Sequence, residues 1–369
     1  MSTTFNKDGL IILLGAGASV DAGIPHSKEM IERIEGKIQV TKEWENYGPL
    51  YHYLKSACLF AEGIKGKYSE YSFNVEKLIN TIDDLLKGDE HPLFPFIGSW
   101  APKLAQLTNG RIQARPGREN TQVSPLSELR DEIVDRLLNE WCHLDNYNAA
   151  SYFRRLGEFA RNDYQFALRV FTLNYDLCVE KACSSLTPFV IERGFEDNNS
   201  GWEWRRFDPN ADDSTDIYLY KLHGSVDWQK SSDGSIKSSA SPSRIPKKEV
   251  AIIFGTSYKF QYVDPFLFLA YELRKRTRDT AKLIITIGYG FADEHINGIL
   301  SQSLIADRTR KLLCVGPGIS ELSVITALNN NLITNAQIKI DNRPAKDFFE
   351  SQLTIEVLSK YFESENSPF

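Results

Sequence analysis

The side chains of this chain that could do chemistry together stand in two short motifs, FTLNYDLCVEKA and YLYKLHGSVDW. In the first, an apolar run over residues 167–171 ends in Thr172, Asn174 and Asp176, and a helical pattern comes next. In the second, His223 and Gly224 come directly after another apolar run. A carboxamide donates and accepts at once, a carboxylate accepts, and an imidazole changes protonation near neutrality. Taken singly, Asn–Tyr–Asp also suits a helix cap and His–Gly a turn. Delivered at strand ends of an open α/β sheet, where such folds bind ligands, they could converge on one crevice.

A third motif supplies a floor for that crevice. Residues 10–25, LIILLGAGASVDAGIP, run from an apolar strand into a glycine-rich turn of the kind that holds a nucleotide pyrophosphate. Gly15 and Gly17 let the backbone turn tightly and approach a ligand, with the following N–H groups facing phosphate oxygens at a helix N-terminus. The usual dinucleotide fingerprint wants a third glycine where Val20 stands, and an acid about 20 residues on at a strand end. The neighbourhood MIERIEGKI reads as helix instead. A plain dehydrogenase is therefore disfavoured.

The elements that must position these motifs are apolar strands at residues 10–14, 167–171, 217–222, 250–254, 283–287 and 311–315. Most end in Gly, Asn or His and precede helical patterns, which predicts an α/β fold: a Rossmann-like parallel sheet flanked by helices. Between the first two strands lies a large, mainly helical insertion. There Phe73, Val75, Leu78, Ile79, Ile82, Leu85 and Leu86 recur at helical spacing, and so do Leu126, Leu129, Ile133, Leu137, Leu138 and Trp141. These stripes are core positions, in a module expected to cover one end of the nucleotide site or to face other subunits. The predicted organisation is a discontinuous nucleotide-binding domain over 1–45 and 165–325, a helical module over 46–164, and a C-terminal segment over 326–369 that packs on the sheet or a partner. A polar loop with Arg111, Arg115 and Arg118 reads as a solvated loop, with a subunit or nucleic-acid contact as the sharper alternative. Residues 231–248, rich in Ser, Lys and Pro, read as a flexible surface excursion.

Composition narrows the class. With 43 Lys and Arg against 49 Asp and Glu, the formal charge of −6 gives no overall attraction to nucleic acid or an anionic membrane. The five cysteines, Cys58, Cys142, Cys178, Cys183 and Cys314, include no pair at metal-ligand spacing, and their odd number fits a reducing cytosol. Apolar runs are far shorter than the roughly 20 residues that span a bilayer. A cytoplasmic enzyme without membrane attachment or metal is expected.

The three motifs in this order resemble the sirtuin-like NAD-consuming family. Its signatures are a GAG-x-S-x(3)-GIP loop, an Asn–x–Asp strand end and a catalytic His–Gly, matched by Gly15, Ala16, Gly17, Ser19, Gly23, Ile24, Pro25, Asn174, Asp176, His223 and Gly224. The resemblance extends to two later strand ends. Gly255-Thr256-Ser257 matches the family's cofactor triplet letter for letter, but by chain order the cofactor role falls to Gly288, Tyr289 and Gly290. Two departures matter. The Asp–Phe–Arg that comes after GIP in deacylating members is His26, Ser27 and Lys28 here, and the paired Cys-x-x-Cys zinc ribbon is missing. That combination is similar to a bacterial branch, used in antiphage defence, that hydrolyses NAD outright.

The resemblance implies an NAD glycohydrolase releasing nicotinamide and ADP-ribose. Asn174 would orient the ribose or the attacking water, and His223 would act as general base. Asp176 would position the site, and Thr172 would line the cofactor with the glycine loop. Asp293 is read as a helix N-cap near the adenosine end, and His295 as structural. The branch further implies homo-oligomers and a separately encoded DNA-translocating ATPase as partner. The alternatives are a regulatory module that senses NAD or ADP-ribose and, less favoured, a protein deacylase.

Overall fold

The computed structural model describes residues 5–66, 73–86, 125–186, 188–197, 200–208, 214–253 and 264–363. Two compact units emerge, one of Met1–Ile24 with Cys142–Phe369 and the other of Pro25–Trp141. The inserted unit thus starts just after the glycine loop, where the sequence reading started its helical module at residue 46. The helix Ser27–Val40 belongs to that unit because it buries Met30, Ile31, Ile34 and Ile38 there.

The first unit is built on a seven-stranded parallel sheet. In chain order its strands are β1 (Leu10–Leu14), β2 (Leu168–Thr172), β3 (Ile191–Glu192), β4 (Ile217–Lys221), β8 (Leu283–Ile287), β9 (Lys311–Val315) and β10 (Ile338–Asp341), and across the sheet they run β10-β9-β8-β1-β2-β4-β3. Every pairing in it is parallel. The central strands read as unbroken apolar runs because both faces are covered. Leu10, Ile12, Leu14, Val170 and Ile285 pack on one side with Phe153, Leu156, Phe159, Phe348 and Phe349. Ile11, Leu13, Phe171, Tyr220 and Ile284 pack on the other with Leu269, Leu273, Leu300 and Leu304.

The strand order fixes where a ligand can sit. From β1 the chain moves to β2 on one side and returns later to β8 on the other, so the crevice between β1 and β8 is the topological switch point. The loops after β1 and β8 leave the carboxyl edge of the sheet at this crevice, and those after β2 and β4 leave the same edge one and two strands farther along.

One strand expectation needs correction. The strand at residue 250 is outside the parallel sheet: β7 (Val250–Ile252) pairs antiparallel with β5 (Gly224–Lys230), which also pairs with β6 (Ile236–Ser238). The segment 231–248, expected to be a flexible excursion, carries β6 and the short helical turn Pro242–Arg244, with Ile236 and Ser238 buried. The cause is a hairpin at Asp233-Gly234, where Ser231 N–H donates to Ser235 O and Gly234 has φ 87°.

The second unit is helical. Its helices include Gly48–Ile64, Val75–Leu86 and Pro125–Arg136, the last continuing as a π-helical turn over Leu137–Trp141. The two apolar stripes read from sequence supply its core, with Leu78, Ile79, Ile82, Leu129, Ile133, Leu137 and Trp141 all buried. Arg111, Arg115, Arg118 and the Gly255-Thr256-Ser257 triplet lie outside the described residues. No helix among the described residues is long and apolar enough to cross a membrane.

Candidate functional site

The site is assembled on the carboxyl edge of the parallel sheet, and its first feature is a backbone junction. β1 ends at Gly15, whose N–H donates to Ile287 O at 2.9 Å, and Gly17 N–H donates to Gly288 O at 2.9 Å. The loops after β1 and β8 therefore touch main chain to main chain. A Cβ on Gly288 would lie 2.1 Å from Ala18 N, and its φ of 63° is left-handed, so only glycine fits. The glycines also serve the fold directly: Gly15, Gly17 and Ala18 N–H groups are already spent on backbone acceptors. The loop continues as a seven-residue 3-10 helix, Ala16–Ala22, in place of the regular helix whose N-terminus was expected to face phosphate. Ala16 and Gly290 are exposed at this junction, while Ser19 and Ile24 are buried. Gly23, φ 95°, ends the turn, and Pro25 opens the second unit.

The segment after β2 locks onto that loop. Asn174 Nδ2 donates to Gly15 O and to Ser19 Oγ, both at 3.0 Å, and Asn174 N–H donates to Thr172 Oγ1 at 3.0 Å. Neither side-chain bond uses the Asn174 Oδ1. Tyr152, which sequence reasoning missed, holds the same turn from behind by donating its hydroxyl to Ala18 O at 2.6 Å. Asp176 is buried and accepts from Cys178 N–H at 3.0 Å at the mouth of the helix Cys178–Cys183. Its carboxylate works on the local turn, while its main-chain carbonyl accepts from Lys221 Nζ.

His223 sits in the two-residue turn between β4 and β5, because Gly224 takes φ 83° and a Cβ there would strike Ala251 O at 2.0 Å. That glycine sends the chain into β5, and His223 O accepts from Ile253 N–H at 2.9 Å. The residue is only 6% exposed. Its Nε2 lies 3.4 Å from Asp293 Oδ2, and its ring is 6.5 Å from that of Tyr175. Its Nδ1 is buried without a hydrogen-bond partner among the described residues.

Asp293 does cap a helix: its Oδ1 accepts from His295 N–H and Ile296 N–H at the start of Glu294–Ala306. The other oxygen faces His223, a pairing the sequence did not reveal, so this residue stands beside the imidazole. Tyr289 is buried, its hydroxyl donating toward Asn297 Oδ1 at 2.7 Å and Asp293 O at 3.1 Å. Burial, reinforced by Asp293, pushes that phenol far above its ordinary range, so it stays protonated and fixes the Asp293 backbone.

Beneath the loops runs a buried charge network. Lys221 Nζ is 3.4 Å from Glu180, and Arg193 bridges Glu180 at 3.1 Å and Asp227 at 2.9 Å. Burial pushes the Asp227 carboxyl up, but Arg193 and Lys221 outweigh it and hold the group below the usual carboxylate range. A lysine closing the apolar run YLYK was the sequence signal for this network. The five cysteines are buried free thiols. Burial pushes Cys183 and Cys314 up to about 12 and Cys178 higher still, which leaves those three protonated and poorly nucleophilic at neutral pH. No group of three or more metal-ligating side chains occurs among the described residues.

Among curated proteins, none matches this chain. Among solved structures, two mutants of a Sir2 homologue in complex with ADP-ribose align at 13% and 12% identity with TM-scores of 0.41 and 0.42. They cover 97% and 98% of this chain, each with 94% of its own length. Sir2Tm bound to a propionylated peptide aligns at 12% identity and TM-score 0.38, covering 92% of this chain and 90% of its own. Such distant likeness carries nothing about activity. Residues 168–331, which include Asn174, His223 and Asp293, match the family model of the SIR2-like domain, and that match supports the sirtuin-like resemblance of the sequence.

Proposed function

We propose that this chain is an NAD glycohydrolase that cleaves NAD to nicotinamide and ADP-ribose. The observation that carries the reading is the buried, unpartnered Nδ1 of His223, held at the carboxyl edge of a switch-point crevice close to the segment bearing Asn174. Other buried side-chain polar atoms among the described residues also lack a partner; what distinguishes this one is that it belongs to the imidazole of the His–Gly motif, the one group among them that can accept a proton near neutrality. The match to the SIR2-like domain supports NAD as the ligand.

In the reaction, the C1′–N bond breaks and its electron pair leaves with nicotinamide, which departs neutral from a cationic pyridinium. No acid is required at the leaving group. A water oxygen bonds to C1′, and its proton passes to His223, while the Asn174 amide orients the water or the ribose. Ala16 and the Gly288–Gly290 turn line the dinucleotide. The absence of any Cys-x-x-Cys pair in the sequence favours hydrolysis over protein deacylation. The same resemblance supports a role as an NAD-depleting effector of antiphage defence, working as a homo-oligomer under the control of a partner ATPase.

The test is nicotinamide release from NAD by wild type and by His223→Ala, with and without an acetyl-lysine peptide. Peptide-independent release that is lost in the variant supports the hydrolase. Release only with peptide identifies a deacylase, and NAD binding without release in either protein identifies a sensor.

A further inference from the structure

The geometry points to Asp293 as the residue that positions His223 and selects its tautomer, so that Nε2 carries the proton and Nδ1 is the bare acceptor. The role given to that acceptor rests on the hydrolase reading; the tautomer does not. Three observations carry it. Asp293 Oδ2 is 3.4 Å from His223 Nε2, an ion-pair distance at which the negative charge of a carboxylate favours a proton on the nitrogen that faces it. Asp293 itself cannot swing away, because its Oδ1 accepts from His295 and Ile296 N–H at 3.0 and 3.3 Å and its carbonyl accepts from Tyr289. The second imidazole nitrogen has no partner among the described residues, although it is buried.

One carboxylate therefore does two jobs with two oxygens. One oxygen ends the helix Glu294–Ala306, which fixes where the other points. The arrangement mirrors the carboxylate–imidazole pairs of hydrolases, with the two ring nitrogens exchanged: there the acid usually meets Nδ1 and the base is Nε2. A structural reading competes, namely that Asp293 is only a helix cap. The two readings separate at one substitution. Asn caps a helix about as well as Asp, so Asp293→Asn keeps the helix, but it places a neutral amide against Nε2 in place of an anion.

The experiment records imidazole nitrogen shifts of His223 in full-length protein labelled at histidine, in alkaline buffer where an imidazole is neutral. His223→Gln identifies the resonance. Wild type is expected to show the proton on Nε2, and Asp293→Asn to move it to Nδ1, where the amide N–H can donate to Nε2. Thermal stability of Asp293→Asn should stay near wild type, while nicotinamide release falls about 10²- to 10⁴-fold, the range for losing a correctly held base. A wild-type proton on Nδ1, or a tautomer that Asp293→Asn leaves unchanged, overturns the proposal. If wild type releases no nicotinamide, the hydrolase reading fails, and the shifts still decide the tautomer.

Discussion

The two ends of the central sheet both bury charge, and they treat it differently. Near the amino end, Asp8 gives one oxygen to Arg169 at 2.6 Å and the other to Arg276 at 2.7 Å, and Arg276 is held again by Glu272 at 2.9 Å. Arg169 also donates to the Tyr220 hydroxyl, and its guanidinium lies 4.5 Å from the centre of the Tyr218 ring. Its Nη2, which has no hydrogen-bond partner among the described residues, belongs to that stacked plane. Both oxygens of Asp8 are taken up within this network. At the carboxyl edge, Asp293 is equally committed, but His223 keeps a buried acceptor unused and Asn174 binds the glycine loop through its amide nitrogen alone. Burial of charge by itself thus does not mark a site in this fold. What sets the carboxyl edge apart is that the atom left over there belongs to an imidazole, which can take up a proton near neutrality, whereas the one left over at the amino end is a guanidinium nitrogen, which cannot.

The largest effect should come from the carboxyl edge. His223→Ala is expected to lower nicotinamide release about 10²- to 10⁴-fold, as for loss of a general base, with the unfolding midpoint little changed. Next comes the amino end, where Arg169→Met strips one partner from a buried Asp8. It should cost about 3–5 kcal/mol of stability in denaturant unfolding, yet leave turnover per folded molecule near wild type. A comparable loss of turnover in this variant would break the contrast.

Gly288→Ala tests the junction between the two loops. It forces a left-handed φ on a residue with a Cβ and drives that atom into Ala18 N, so a loss of at least about 1–3 kcal/mol is expected, with weaker NAD binding by calorimetry. The smallest effect is a pH dependence. Asp227 has its folded pKa lowered, so its contribution is fully present above the ordinary carboxylate value of about 3.9 and is lost as pH falls through the lowered one. The stability gap between wild type and Asp227→Asn should hold from neutrality down to about pH 4 and close below it. A gap that widens in acid would reverse the sign assigned to Arg193 and Lys221.

Much of this was legible because the signals are local. β1, β8 and β9 have the bounds of their apolar runs, and the helix Val75–Leu86 lies within its apolar stripe. The glycines of the β1 loop announced a close backbone approach, although their immediate neighbour is Gly288, far along the chain. The features that sequence reading lost were long-range or masked by apolar neighbours. Arg169 sits inside ALRVF and Lys221 ends YLYK, and each disappears into a strand pattern although each anchors a charge network. The Asp293–His223 pair depends on two loops meeting across the crevice, which no local spacing encodes. The β5–β6 hairpin was readable from Asp233-Gly234, but the surrounding serines and lysines made the segment look unstructured.

The most direct test compares nicotinamide release from NAD, per folded molecule, by wild type, His223→Ala and Arg169→Met. Release that persists in Arg169→Met and vanishes in His223→Ala is the predicted result. Equal release by wild type and His223→Ala would contradict the assignment of the reactive end of the sheet.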